Sequence, residues 1–271
     1  MNNPKISVVM PAYNAEKYIS EAIESILNQT FRDFEFIIIN DASTDKTLDI
    51  IQEYAKKDDR VIFLSNKENL KTSKTLNEGL AIARGEYVVR MDADDWSYPE
   101  RLEKQTLFMD KNRDVVLSGS AIQICDSGLK TLNKREYPQT NEDIRKKIFR
   151  YNPFCHPATI WRTDIMKQVG GYDNNIPLTQ DYELEFKVGR YGKFANQSMV
   201  LHRLRTHKKS SSIRHGERQE LTALYIRLKA TMEYGYSMSI FEKFYLAIQF
   251  VSIFFVPVQV KFWIFNFFRK S

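Results

Sequence analysis

The chain has 271 residues, 43 % of them hydrophobic, and a formal net charge of +6; that length suits one large domain, or one domain plus an appendage, with a sizeable core. A mean hydropathy of −0.44 excludes a multi-span membrane protein. Two cysteines, Cys125 and Cys155, exclude a disulfide framework or a cysteine-rich zinc site, and so mild a basic excess gives no reason to expect nucleic acid as a partner.

The N-terminus lacks the basic stretch and long apolar run of a secretory leader, so a reducing cytosol is the expectation. Residues 5–10 form a β-branched run ending at Pro11, which reads as a buried strand. Asn14 is expected to cap the following helix, whose apolar residues Ile19, Ala22, Ile23, Ile26 and Leu27 recur at helical spacing. Residues 34–40, FEFIIIN, are apolar almost throughout, as in a central parallel strand covered on both faces. A helix over 44–56, a strand over 61–64, a helix over 72–84 and a strand over 86–91 complete a β-α-β-α-β-α-β order, the pattern of a doubly wound α/β sheet. A helix follows over 99–111 with Pro99 in its first turn. Strands are expected within 115–136 around a turn at 126–128, helices at 141–150, 163–169 and 181–191, and a strand near 194–205. Gly170 and Gly171 suit the left-handed end of the helix begun near Thr163.

In open α/β sheets ligands bind at the carboxyl ends of the strands. Those ends carry Pro11, Ala12, Tyr13 and Asn14, then Asp41 to Asp45, then Lys71, and finally Asp92, Ala93, Asp94 and Asp95. The first βα turn lacks G-x-G-x-x-G, and no G-x-x-x-x-G-K-[ST] loop is present, which argues against a nicotinamide enzyme and a P-loop NTPase. Without a glycine nest, a phosphorylated ligand needs a cation. Asp92, Asp94 and Asp95 at one strand end repel one another unless something positive sits there, and hard oxygen ligands suit Mg²⁺ or Mn²⁺. An acidic turn capping the next helix accounts for D-x-D-D equally well. Asp41 can accept from a ribose hydroxyl or a base N–H, whereas Asp45 reads as a turn and cap.

The stretches VVMPAYNAEKYISEAIESILNQT, FIIINDASTDKT, NLKTSKTLNEGLAIARGEYVVRMDADD, GGYD, TQDYELEFKV and RLRTHKKSSS, in that order between about residues 5 and 212, resemble family-2 inverting glycosyltransferases of the GT-A fold. The resemblance implies an α/β, Rossmann-like mixed sheet with helices on both faces over 1–212. It implies a nucleotide-sugar pocket of Pro11, Ala12, Tyr13, Asn14, Asp41, Lys71, Asp92, Ala93 and Asp94, and a Mn²⁺ or Mg²⁺ ion on Asp94 and Asp92 with His207 in the loop over the nucleotide. The donor expected is a nucleotide-diphospho-sugar, a UDP-sugar by preference. The acceptor expected is a lipid-linked glycan or a polysaccharide hydroxyl. The family's catalytic base lies in an acidic pair, usually Glu-Asp; here the pair reads Gln180-Asp181, so the base is Asp181 with an amide beside it. Asp95, His156, Trp161 and Gln180 are candidates for the acceptor or sugar pocket, although a histidine before proline and a tryptophan are more often structural. His202 and His215 read as surface or packing residues.

Residues 213–239 read as a linking helix, and 240–271 as a basic, aromatic tail. That tail holds 11 of the chain's 35 aromatic residues and a net charge of +3 from Lys243, Lys261, Arg269 and Lys270 against Glu242. Aromatics mixed with lysine and arginine suit a helical segment lying on an anionic bilayer, and place the protein at the cytoplasmic face of the membrane. Packing on the body, dimerisation, and a marginal transmembrane span are the alternatives. Two other functions fit less well. A sugar-phosphate nucleotidyltransferase would carry a glycine-rich basic loop after the first strand, and a sugar-nucleotide or glycan-binding module without turnover would have no need of both Asp94 and Asp181.

Overall fold

The computed structural model describes residues 3–176, 178–207 and 216–256. Its strands are β1 (Ile6–Ala12), β2 (Phe34–Asn40), β3 (Val61–Ser65), β4 (Tyr87–Arg90), β5 (Trp96–Ser97), β6 (Val115–Cys125), β7 (Thr131–Arg135), β8 (Ile160–Arg162) and β9 (Lys193–Arg205). Its α-helices are α1 (Ile19–Leu27), α2 (Thr47–Lys57), α3 (Lys71–Ile82), α4 (Arg101–Lys111), α5 (Asn141–Lys147), α6 (Thr163–Gln168), α7 (Gln180–Val188), α8 (Gly216–Glu233) and α9 (Ile240–Phe255).

The sheet runs β3-β2-β1-β4-β8-β6-β9-β5, with β7 paired to β6. The first four strands are parallel, whereas β8 runs antiparallel to both β4 and β6, so the sheet is mixed. Side chains alternate across the pleat and divide the core in two. Ile6, Val8 and Met10 of β1 and Phe36 and Ile38 of β2 pack with Ile19, Ile23 and Ile26 of α1 and Leu102 and Met109 of α4. The opposite face sets Val9, Ile37 and Ile39 against Leu76 and Leu80 of α3, Leu184 of α7, and Ile226 and Ala230 of α8. Helices therefore cover both faces, as expected. At Gly79 of α3 an added Cβ would lie 2.7 Å from Val9 and 2.8 Å from Ile39, so glycine is what lets this helix approach the sheet so closely.

Several local expectations change. Asn14 does not cap α1, which starts at Ile19 with Tyr18 as its flanking residue and no side-chain cap. Asn14 instead has φ +49° and accepts the Thr44 N–H at 2.8 Å, which ties the ends of β1 and β2 together. Asparagine tolerates that left-handed backbone, and this serves the turn instead of the helix. Pro99 precedes α4 by two residues instead of lying in its first turn, in the link between α4 and the short strand β5, which pairs with β9. Gly170 and Gly171 do end α6 with positive φ. The segment expected only to link is helix α8, whose Ile226, Arg227 and Ala230 are buried. The start of the tail is α9, opened by a capping box between Ser239 and Glu242. Residues 257–271 of the tail, like Lys208, Lys209 and His215, lie outside the described residues. Among the described residues no helix is long and apolar enough to cross a membrane.

Candidate active site

Three strand ends make the first part of the site. The Asp41 N–H donates to the Ala12 carbonyl at 2.8 Å and the Asn14 N–H to Ser43 Oγ at 3.1 Å, so the turns after β1 and β2 form one ledge. Pro11 and the buried Ala12 end β1 at this ledge, and Tyr13 stands 52 % exposed on it. Asp41 is 4 % exposed and turned inward: Oδ1 accepts from Asn66 Nδ2 and the Leu70 N–H, and Oδ2 from the Lys71 N–H. Asp41 thereby fixes the turn in which Lys71 adopts φ +70° and offers an exposed side chain to the ledge.

The second part follows β4. Asp92, Asp94 and Asp95 each place a carboxylate oxygen within 4.8 Å of the others, but they differ in what those oxygens are free to do. Asp95 is fully buried; its Oδ1 accepts the Arg205 N–H at 2.8 Å and its Oδ2 faces His202 Nε2 at 2.8 Å. Arg101 Nη1 lies 3.0 Å from His202 Nδ1. Arginine can only donate, so Nδ1 accepts, and a neutral His202 carries its hydrogen on Nε2 toward Asp95. Burial, then the charge of Arg101, holds His202 well below the usual histidine value, consistent with that tautomer. Asp95 thus braces the turn from below instead of lining a sugar pocket, and His202, read from the sequence as a surface or packing residue, is fully buried beneath it.

Asp92 and Asp94 are partly exposed. Arg90, 3 % exposed, donates from Nη2 to Asp92 Oδ1 at 2.6 Å. His207 Nε2 lies 2.8 Å from Asp94 Oδ2, with its ring stacked on Tyr18. Burial, then the charges of Asp95 and Asp92, pushes the Asp94 carboxyl up to about 7, against the pull of His207. Asp94 keeps a raised carboxyl between two other carboxylates, and such partly open hard-oxygen donors suit a divalent ion. Asp92 and Asp94 fit that ion, with Ala93 buried between them. Arg205 is turned inward and is not available to phosphate. It is 3 % exposed and donates to the Asp94 and Ser127 carbonyls and to Glu21.

The third part is the start of α7. The backbone N–H groups of residues 181 and 182 pull the Asp181 carboxylate down, and Asn152 Nδ2 donates to its Oδ2 at 2.9 Å. Burial outweighs them, so its pKa is raised above the ordinary aspartate value. Arg90, the ion-pair partner of Asp92, also lowers the Asp181 pKa by its charge, so the acidic turn and the base candidate share the field of one cation. Gln180 is 9 % exposed. The acidic neighbour of Asp181 is Glu185, one turn later, fully buried and pushed well up by burial and by the Asp181 charge. His156 faces the Tyr172 hydroxyl at 2.8 Å and sits edge-on to Trp161. Trp161 itself is fully buried in β8, its Nε1 donating to Thr159, and so belongs to the core instead of an acceptor pocket.

Arg90, Asn152, Tyr172 and Glu185 were not picked out by sequence reasoning. Only Glu185 had a local signal, its i,i+4 spacing from Asp181 on a helix.

The family model for Glycosyl transferase family 2 matches residues 7–170. An uncharacterized glycosyltransferase of Haemophilus influenzae is 36 % identical over 235 residues, covering 83 % of this chain and 73 % of that protein. The O-antigen biosynthesis glycosyltransferase WbnJ of Escherichia coli is 32 % identical over 210 residues, covering 76 % of this chain and 81 % of that one. Among solved structures, S. aureus TarS 1–349 in complex with UDP is similar in fold, with a TM-score of 0.67 and 22 % identity over 92 % of this chain and 72 % of TarS. A mannosyltransferase of Pyrobaculum calidifontis, solved with GDP-Man and Mn²⁺, gives a TM-score of 0.60 at 16 % identity, covering 96 % of this chain and 83 % of that one.

Proposed function

The chain belongs to glycosyl transferase family 2, and from that premise we propose that it transfers a sugar, with inversion, from a nucleoside-diphosphate donor to a hydroxyl of a lipid-linked glycan or polysaccharide. The observation that carries this reading is the clustered acidic turn Asp92, Asp94 and Asp95 together with a buried helix-start carboxylate, Asp181, that feels the charge of Arg90, the partner of Asp92. UDP in the TarS complex supports a UDP-sugar as donor, and the polysaccharide role in the name of WbnJ supports the acceptor class.

Inversion is a single displacement at the anomeric carbon, with two electrostatic demands. Negative charge grows on the leaving diphosphate, and a proton must leave the acceptor hydroxyl on the opposite face. Asp92 and Asp94 would hold Mg²⁺ or Mn²⁺, which when bound supplies Lewis-acid stabilisation of the diphosphate. The ledge of Pro11 to Asn14, Asp41 and Lys71 seats the nucleoside. Asp181 takes the hydroxyl proton on a carboxylate oxygen, oriented by Asn152 and kept basic by burial. The tail adds a location. Exposed Phe241, Phe244 and Phe255 on α9 and the basic residues around them support a peripheral seat on the anionic inner face of the membrane.

Asp181→Asn tests the assignment. Transfer should fall by about 10²-fold or more, while donor affinity stays within about twofold because Asp181 acts on the acceptor side. A chelator should abolish wild-type transfer, and Mn²⁺ or Mg²⁺ should restore it. Wild-type transfer rates in Asp181→Asn would refute Asp181 as base, and full activity in excess chelator would refute the metal.

A further inference from the structure

Glu185 follows Asp181 by one turn of α7, so the two side chains project from the same face of the helix. Glu185 is fully buried, and neither of its carboxylate oxygens has a partner at normal hydrogen-bond geometry; the Asn152 amide, which donates to Asp181, is the one side-chain donor that also acts on it, and it only partly offsets burial. An ionised carboxylate in that state is among the costliest groups a fold can carry. A neutral carboxylic acid costs less and gains something the anion lacks, one O–H to donate. One helical turn away on the same face is an acceptor, Asp181, whose charge also acts on Glu185.

We propose that Glu185 is a positioning residue: it remains a neutral carboxylic acid and donates its O–H to Asp181, holding the base together with Asn152. The proposal rests on Asp181 being the general base. Its functional sense follows from the burial of Asp181, which disfavours the anion that catalysis requires. Each donor aimed at that carboxylate restores the anion and fixes its direction. The sequence carries an amide, Gln180, where the family usually places the second acid of the pair, and Glu185 supplies a carboxyl from behind instead. Packing alone does not account for it. The neighbouring side chains of α7 that enter this core, Leu184 and Phe186, are apolar, and an apolar residue at 185 would bury no unpaired oxygen.

The experiment compares Glu185→Leu and Glu185→Gln in the full chain. Glu185→Leu should stay folded with a melting temperature near that of the wild type, because the lost O–H donation to Asp181 is offset by taking a buried carboxyl out of the core. Its donor KM should stay within about twofold while kcat drops about tenfold or more. Glu185→Gln, whose amide N–H can replace the O–H, should keep kcat within about threefold. An infrared difference spectrum, wild type minus Glu185→Gln at pH 7, should show the carbonyl stretch of a protonated carboxylic acid. A wild-type kcat in Glu185→Leu, a Glu185→Gln as slow as the leucine variant, or a difference spectrum without the acid band would each overturn the proposal. Should Glu185→Leu not fold, Glu185→Met takes its place under the same criteria. Absence of transfer by the wild type with every donor would sink the enzymatic reading, whereas the infrared band decides the state of Glu185 without reference to turnover.

Discussion

Asp181 is pulled in two directions, and the balance is measurable. Burial raises its pKa, while Asn152 and the first-turn N–H groups lower it. A general base must be ionised, so kcat/KM should fall as pH drops through the raised value, placing the acid limb above the ordinary aspartate value of about 3.9. Removing the Asn152 donor takes a hydrogen bond away from the charged form, which raises the pKa further. A hydrogen bond to a charged group contributes about 1.5–3 kcal/mol, and one pKa unit corresponds to about 1.4 kcal/mol. In Asn152→Ala the acid limb of the kcat/KM profile should therefore move up by about one pH unit or more. A limb that stays in place or moves down would show that Asn152 does not hold the base.

At the scale of elements, α7 owes its position to the helices behind it. Arg227 of α8 is 2 % exposed and donates to the Tyr182 hydroxyl at 2.9 Å, to the Arg150 carbonyl at 2.8 Å and to Gln249 of α9. Lys229 reaches Asp173 at 2.7 Å and the buried Glu183 of α7 at 3.3 Å, and Tyr234 also donates to Glu183. The C-terminal helices are thus joined by buried charged bonds to the helix that carries the base. Arg227→Met keeps much of the volume but leaves three acceptors without their donor. It should cost about 3 kcal/mol in urea denaturation, with faster amide exchange in α7, and an unchanged midpoint would refute the coupling.

None of this coupling has a local signature in the sequence. The long elements do: β1, β2 and α1 are legible because apolar spacing repeats over seven to nine residues. β5 and β8, of two and three residues, are too short to show a period and exist only through their partners β9 and β4. The acidic turn was legible from residue type and its place after β4, whereas Asp181 stood out only through the family resemblance. His202 was not, since its role depends on Asp95, 107 positions away. Arg90 reads as an ordinary strand residue until the fold pairs its guanidinium with Asp92 and brings its charge to bear on Asp181.

The whole molecule divides its charge and its apolar surface unevenly, and the two coincide at the C-terminal end. α9 is 16 residues long, about 24 Å at 1.5 Å per residue, which is short of a hydrocarbon core of about 30 Å. Its Ile240, Phe241, Phe244, Ile248, Val251 and Phe255 are between 51 and 87 % exposed. On α8, Leu221, Tyr225, Leu228 and Met232 are also exposed, and they recur at helical spacing on the outer side of a helix whose inner side packs against α7. A helix lying in the bilayer interface satisfies that distribution. The segment 240–271 also carries +3 of the total +6, and each Lys or Arg near an anionic surface contributes about 1 kcal/mol. Because α8 and α9 are tied to α7 through Arg227, seating them on lipid would hold Asp181 at a fixed height above the membrane, as a lipid-linked acceptor demands. The full chain should therefore co-float with vesicles containing phosphatidylglycerol about 10²-fold more strongly than with phosphatidylcholine alone at low salt, and lose most of that preference at 1 M salt, where the Debye length is about 3 Å. The triple variant Phe241→Ser, Phe244→Ser, Phe255→Ser should keep the melting temperature, since these rings are exposed, but lose vesicle binding. Equal flotation of variant and wild type would refute the lipid surface, and wild-type dimers that the variant abolishes, without flotation by either, would assign the same face to a second copy of the chain.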